Sequence, residues 1–182
     1  GEMLICDGAN KPFFFKMTGT GALTDRTFFA GEITVSSTTA PLVGVIHENH
    51  FVVGGAPTAK NTIFYSSNFD PDSFSGSGAG SIVLTDAVVG LASFRSDLII
   101  FCKNSIFKLV NISDSDNIAV VPVTRNVGCL DGQSIQEIGG DLLFLSPDGV
   151  RTVAGTARIG DVELSSVSRQ IQEILKDVAA NS

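Results

Sequence analysis

The segment GLASFRSDLIIFCKNSIFKLV, residues 90–110, aligns without a gap on SIQEIGGDLLFLSPDGVRTVA, residues 134–154, at a spacing of 44. In both copies an alternating stretch ends in an apolar residue, Phe94 or Ile138. A two-residue turn follows, Arg95-Ser96 or Gly139-Gly140. Next come Asp97 or Asp141, a dense apolar run (LIIF or LLFL), a second turn, and a short piece, IFKLV or VRTVA. An earlier copy lies 47 residues upstream in VGVIHENHFVVGG, residues 43–55, with Glu48-Asn49 at the first turn and a longer loop, APTAKN, before TIFYS. A fourth, truncated copy opens the chain: MLICDGANKPFFFK places Leu4 47 residues before Phe51, with Gly1-Glu2 at its turn. Hairpins thus recur every 44 to 47 residues, four times. A unit of this size cannot bury its own apolar faces and has to stack on its neighbours.

The residues of each unit suit strands and tight turns. Gly139-Gly140 and Glu48-Asn49 suit two-residue hairpin turns that need positive φ. Pro147 at the second turn position, with Gly149 at the fourth, suits a type I turn. LIIF and LLFL do not alternate, which predicts strands buried on both faces. IFKLV and VRTVA alternate, which predicts one buried face each. Further strands are predicted in 26–35, 80–85, 117–124 and 157–164. About four strands per unit of roughly 45 residues predicts an all-β fold, a propeller-like array of about four four-stranded blades. The first unit begins at its second strand, so either an upstream segment completes it or a strand from elsewhere closes the ring.

The blades are assigned to residues 1–164 and a different element to 165–182. There Val167, Ile171, Ile174, Leu175 and Val178 fall at helical spacing, with Ser165 or Ser166 as the cap. One amphipathic helix is predicted over 167–178, its apolar face either capping the blades or docking on another subunit. The Gly/Ser/Asp-rich segments 67–80, containing Asp70-Pro71 and Phe74, and 111–117 read as exposed loops.

Composition narrows the partners. The apolar fraction is 43% and the charged fraction 17%, which excludes disorder. No apolar run reaches the length of a membrane span. No basic segment followed by an apolar stretch marks a signal peptide. The chain opens at Gly1-Glu2 without a starting Met, as a piece of a longer protein would. Its net charge of −7, with only 12 scattered basic residues, argues against a protein that grips nucleic acid through phosphates. Three widely spaced cysteines, Cys6, Cys102 and Cys129, give neither a disulfide framework nor zinc-ligand spacing, and fit synthesis in a reducing cytoplasm.

No constellation assembles a catalytic or metal site. Asp114 and Asp116, with Ser113 and Asn117, resemble the start of a calcium loop, but the Gly and distal Glu are missing, so they read as a solvated turn. Asp70 and Asp72 read as turn residues. His47 and His50 flank a turn without an identifiable third ligand and read as surface histidines. GTGAL at 19–23 and GSGAG at 76–80 lack the Lys-Ser or Lys-Thr of a phosphate loop. SPDGVRT, residues 146–152, is a loose match to the Asp box of propeller sialidases, and with no Trp in the chain it reads as a hairpin turn.

The order of motifs resembles a family of tailed-phage virion proteins, the β-propeller tail nozzle or tail tubular proteins of short-tailed phages and the related stabilisation proteins. The matching residues are Tyr65, Ser66, Asp70, Pro71 and Phe74, then Leu98 to Phe101 and Ser105 to Phe107. Gly128, Cys129, Ser134, Ile135, Phe144 to Ser146 and Asp148 to Val150 complete the match. It covers roughly residues 43–178, and family members are usually several times longer.

The resemblance implies a non-enzymatic virion tail protein made in the host cytoplasm, with no cofactor and no membrane partner. It implies a homo-hexameric ring next to adaptor and portal-side tail proteins, through which double-stranded DNA passes without specific binding. An acidic chain suits such a channel, because each Lys or Arg facing the lumen would add a phosphate contact that retards passage. Two other functions fit the same fold: a cell-surface glycan- or protein-binding module using loops 67–80 and 111–117, and a propeller hydrolase, for which no acid pair stands out.

Overall fold

The computed structural model describes residues 2–9, 13–17, 23–27, 41–68, 73–74 and 77–154, and they form an all-β protein of separate antiparallel sheets. The first sheet holds β1 (Glu2–Ile5), β2 (Phe13–Met17) and β3 (Leu23–Thr27) in that order. The second holds β4 (Val43–His47), β5 (His50–Ala56), β6 (Ala59–Tyr65) and β7 (Gly80–Val83). The third holds β8 (Val88–Phe94), β9 (Asp97–Cys102), β10 (Ile106–Val110) and β11 (Ala119–Thr124). The fourth holds β12 (Gln136–Ile138), β13 (Asp141–Ser146) and β14 (Gly149–Thr152). Every sheet is a meander lying within one sequence repeat, and among the described residues no strand pairs into another sheet. The two middle sheets carry all four strands of the unit. In repeat register, the first sheet supplies the second to fourth strands of its unit, and the last supplies the first to third.

The hairpin turns follow the residue chemistry. Gly139 and Gly140 have φ of 61° and 80°, and Glu48 and Asn49 have 44° and 65°, so both loops place two residues in the left-handed region that a type I′ turn requires. In the opening turn of the third sheet one residue does so, Arg95 at 57°. Ser146 pairs with Gly149 across Pro147-Asp148, the tight turn expected from SPDG. Gly149 has φ of 132°, a backbone that glycine adopts most readily.

The core explains why the sheets stack. Leu98, Ile99, Ile100 and Phe101 on β9 are all at most 4% exposed. Leu98 and Ile100 join Val52 and Ile63 of the second sheet in one cluster. Ile99 and Phe101 join Leu142, Phe144 and Val153 of the fourth-sheet unit in another. The third sheet is therefore covered on both faces. Burial of each large apolar side chain stabilises by about 1.5–3 kcal/mol, so both faces contribute. Phe101 and Phe144 meet across the second layer with ring centroids 5.3 Å apart.

Two expectations need correction. LLFL is not dry on both sides: Leu142 and Phe144 are buried, whereas Leu143 and Leu145 are half-buried, because strand alternation gives only one face to the third sheet. IFKLV buries residues on both faces, Ile106 in one cluster and Phe107 and Leu109 in the other. VRTVA alternates as expected, its one buried face carrying Arg151 and Val153.

The helix predicted over 167–178, with Ile171 and Leu175, lies outside the described residues, as do the whole 165–182 element and the strand predicted at 157–164. Asp70, Pro71 and Asp72 lie outside them too, as does 26–35 beyond Thr27 and most of GTGAL. Phe74 is described, and it is buried.

Candidate functional site

The first residue after the opening turn occupies the same place in the last three repeats: His50, Asp97 and Asp141, at spacings of 47 and 44. All three begin the second strand of their sheet, and all three tie it across to the third. His50 Nδ1 lies 2.6 Å from the Ser66 carbonyl oxygen, just past β6. Asp97 Oδ2 accepts from Lys108 Nζ on β10 at 3.2 Å. Asp141 Oδ1 accepts from the Ala154 backbone N–H at 3.1 Å, just past β14, and from its own neighbour Leu142 N–H at 2.8 Å. Three chemistries serve one purpose at one repeat position, locking the strand that carries the core.

Beside this position the sheets are stitched to each other. His47 Nδ1 and Ser93 Oγ, on β4 and β8, lie 2.8 Å apart. Arg95 Nη2 donates to the Gly140 carbonyl oxygen at 2.9 Å, joining the opening turns of the third and fourth sheets. Between those two sheets opens a cleft of about 380 Å³, lined by Phe94, Arg95, Asp97, Lys108, Asp141 and Val153 among others. Its carboxylates and cations are already bonded to protein groups. Both carboxylates in it, Asp97 and Asp141, hold strands together through these bonds.

His47 and His50 are 3% and 1% exposed, which corrects the expectation of surface histidines. The repeat register held a partial signal: His47 stands where the half-buried Phe94 packs against the next sheet, although Ile138 at the same position is exposed. Burial lowers the pKa of His47; Glu48 and Asp97 oppose this through their charges, and His50 adds to it. His50 Nε2 lies 3.4 Å from Ser113 Oγ, and Ser113 Oγ also donates to Glu48 Oε2 at 3.2 Å. If the Nδ1 of His50 carries its proton toward Ser66, Nε2 is an acceptor, and the single Ser113 proton is shared between two acceptors.

The opposite end of the third sheet holds a group that sequence reasoning missed. Asp86 accepts from four donors: Ala87 N–H at 2.8 Å, Asn104 N–H at 2.6 Å, Asn104 Nδ2 at 3.3 Å and Ser105 Oγ at 2.9 Å. Burial pushes its pKa up, but the hydrogen bonds prevail and hold it below the ordinary value. It pins the β9–β10 turn from the loop before β8. No sequence spacing signals it, because donors and acceptor meet only after the sheet forms. Arg151 is equally silent in the sequence. It is 3% exposed and makes a two-pronged ion pair with Asp148 on its own hairpin turn.

The remaining candidates are structural. Asp114 accepts from Asn117 Nδ2 at 2.7 Å and from Asp116 N–H at 3.2 Å, an exposed local turn whose bonds lower the Asp114 pKa. Burial, seconded by the Asp7 charge, pushes Cys6 up to about 12. Burial and the Asp86 charge push Cys102 up to about 12, so neither thiol is a ready nucleophile. Cys102 belongs to the cluster facing the second sheet and Cys129 to the one facing the fourth, so their side chains lie on opposite faces. Among the described residues no three His, Cys, Asp or Glu side chains gather as a metal site, and no helix is long and apolar enough to cross a membrane. No protein-family model matches the chain, and no curated protein matches it.

Proposed function

We propose that this chain is a non-enzymatic structural protein of a tailed-phage virion. In this reading its sheets are blades of a propeller-like array in the tail nozzle or tail tube, lining or supporting the DNA channel. The observation that carries the proposal is the use of one repeat position, His50, Asp97 and Asp141, to lock the second, third and fourth sheets. Residues at the repeated position are spent on architecture, and successive sheets are stitched and packed face to face as stacked blades are. The order of motifs shared with tail nozzle proteins adds the virion context. The net charge of −7 suits a wall past which DNA slides, since like charges repel over a screening length of about 10 Å at 0.1 M salt.

Two measurements test it. Native mass spectrometry and electron microscopy of the purified chain should find a ring of identical subunits, and antibodies against it should label the tails of intact virions. A protein absent from assembled particles ends this reading. Binding to a glycan array by a chain that stays monomeric would instead favour a surface-recognition module built on the open cleft between the third and fourth sheets.

A further inference from the structure

The hairpin joining β4 and β5 places two buried imidazoles opposite each other, His47 paired with His50, around a turn whose two residues are both non-glycine and left-handed. One of them, His47, bonds Ser93 across the seam to the third sheet. The same hairpin reaches that sheet's β10–β11 loop through Ser113, which contacts both Glu48 and His50. At the next seam the corresponding link is the Arg95 guanidinium on a backbone carbonyl, which does not titrate near neutral pH. Only the seam between the second and third sheets is fastened through an imidazole.

We propose that His47 is an acid-sensitive latch: neutral, it fastens the second sheet to the third, and protonated, it loosens that seam. The charged and titratable groups facing it are Glu48 on the turn, His50 on β5 and Asp97 on β9. Asp97 is itself 3.2 Å from Lys108 Nζ, which offsets its charge. Tyr65 closes the far side of the cluster, edge-on to His50 with centroids 6.1 Å apart. A positive charge on His47, in a pocket where it is 3% exposed, has little water to solvate it. The Ser93 hydroxyl can accept from the imidazolium as it can donate to the imidazole, so the bond itself survives protonation and the loosening comes from the buried charge.

The sign follows from linkage. His47 binds its proton less readily in the folded chain than in the unfolded one, whose ordinary value is 6.5. Its contribution is therefore complete above that pH and is lost as pH falls below it, until the folded protein is protonated too.

The test is amide hydrogen exchange on the full chain, corrected for intrinsic rate, with imidazole titration by NMR. Protection of 43–47 and 88–94 should fall about tenfold for each pH unit that separates the folded and unfolded titrations of His47. The Arg95–Gly140 seam should keep its protection over the same range. His47→Asn retains a polar group at the position of Nδ1 but cannot titrate, and should abolish the acid loss. Should His47→Asn fail to fold, the wild-type comparison decides: the acid loss of protection must level off at the His47 NMR midpoint. Flat protection through the His47 titration, or an unchanged acid loss in His47→Asn, overturns the proposal.

Discussion

Arg95 donates from Nη2 to the carbonyl oxygen of Gly140 at 2.9 Å, so the opening turns of two successive repeats hold each other. The guanidinium also lies 5.0 Å from the centroid of the Phe94 ring. Arg95 is exposed and left-handed at φ 57°, which a side chain adopts at a cost of about 1 kcal/mol. Arg95→Ala keeps that cost and loses the bond, for an expected loss of about 1 kcal/mol. Arg95→Gly loses the bond but relieves the backbone, and should cost less than the alanine variant. Urea denaturation of both variants checks the order; equal or reversed losses would mean that the left-handed backbone at this position carries no strain.

Asp148 should matter more than its half-exposed position suggests. Its partner Arg151 is buried, and Asp148→Ala leaves that cation unpaired at a cost of about 3 kcal/mol. Replacing both, as Asp148→Ala with Arg151→Met, removes the charge that needed a partner and should recover most of the loss. Thermal unfolding of the single and double variants measures this directly. A double variant no more stable than the single would refute the argument.

Gly128 is fixed by space rather than by φ. A Cβ there would overlap the carbonyl group of Lys103, which is backbone and cannot swing aside. Gly128→Ala is therefore expected to cost about 3 kcal/mol, at the upper end for overpacking. The same change at Gly139 meets no neighbouring atom and suffers only from its φ of 61°, with an expected cost of about 1 kcal/mol. Comparing the two denaturation midpoints separates the causes.

Asp86 links the third sheet to acid stability. Its folded pKa is lowered by the four hydrogen bonds it accepts, after burial has pushed the other way. The stability it contributes is present above its ordinary value of 3.8 and is lost as pH falls through the lower folded value. Asp86→Asn should cost about 1–3 kcal/mol at neutral pH and flatten the acid limb of the stability profile. An unchanged acid limb in the variant would assign that limb to other carboxylates.

Much of the architecture could be read before any coordinates. The 44- and 47-residue spacings marked the units, Gly139-Gly140 and Glu48-Asn49 marked their hairpins, and the unbroken LIIF run marked a strand covered on both faces. LLFL misled because an apolar run reports what a strand can bury and not how many neighbours it has. Its sheet has a described partner only on the face of Leu142 and Phe144. The histidines misled because polarity and a nearby turn suggested the surface, while packing placed them at the seam.

Local chemistry, summed over a repeat, sets the periodic strands and the turn types, because backbone preference and alternation act within a few residues. The assignment of roles inside each unit came only with the tertiary contacts. Whether Asp97 serves a cleft or a lysine, whether Arg151 meets water or Asp148, and whether His47 faces solvent or Ser93 depends on atoms far apart in the chain. Those partners meet only when one sheet is laid against the next, and a hydrogen bond exists only at the distance that packing imposes.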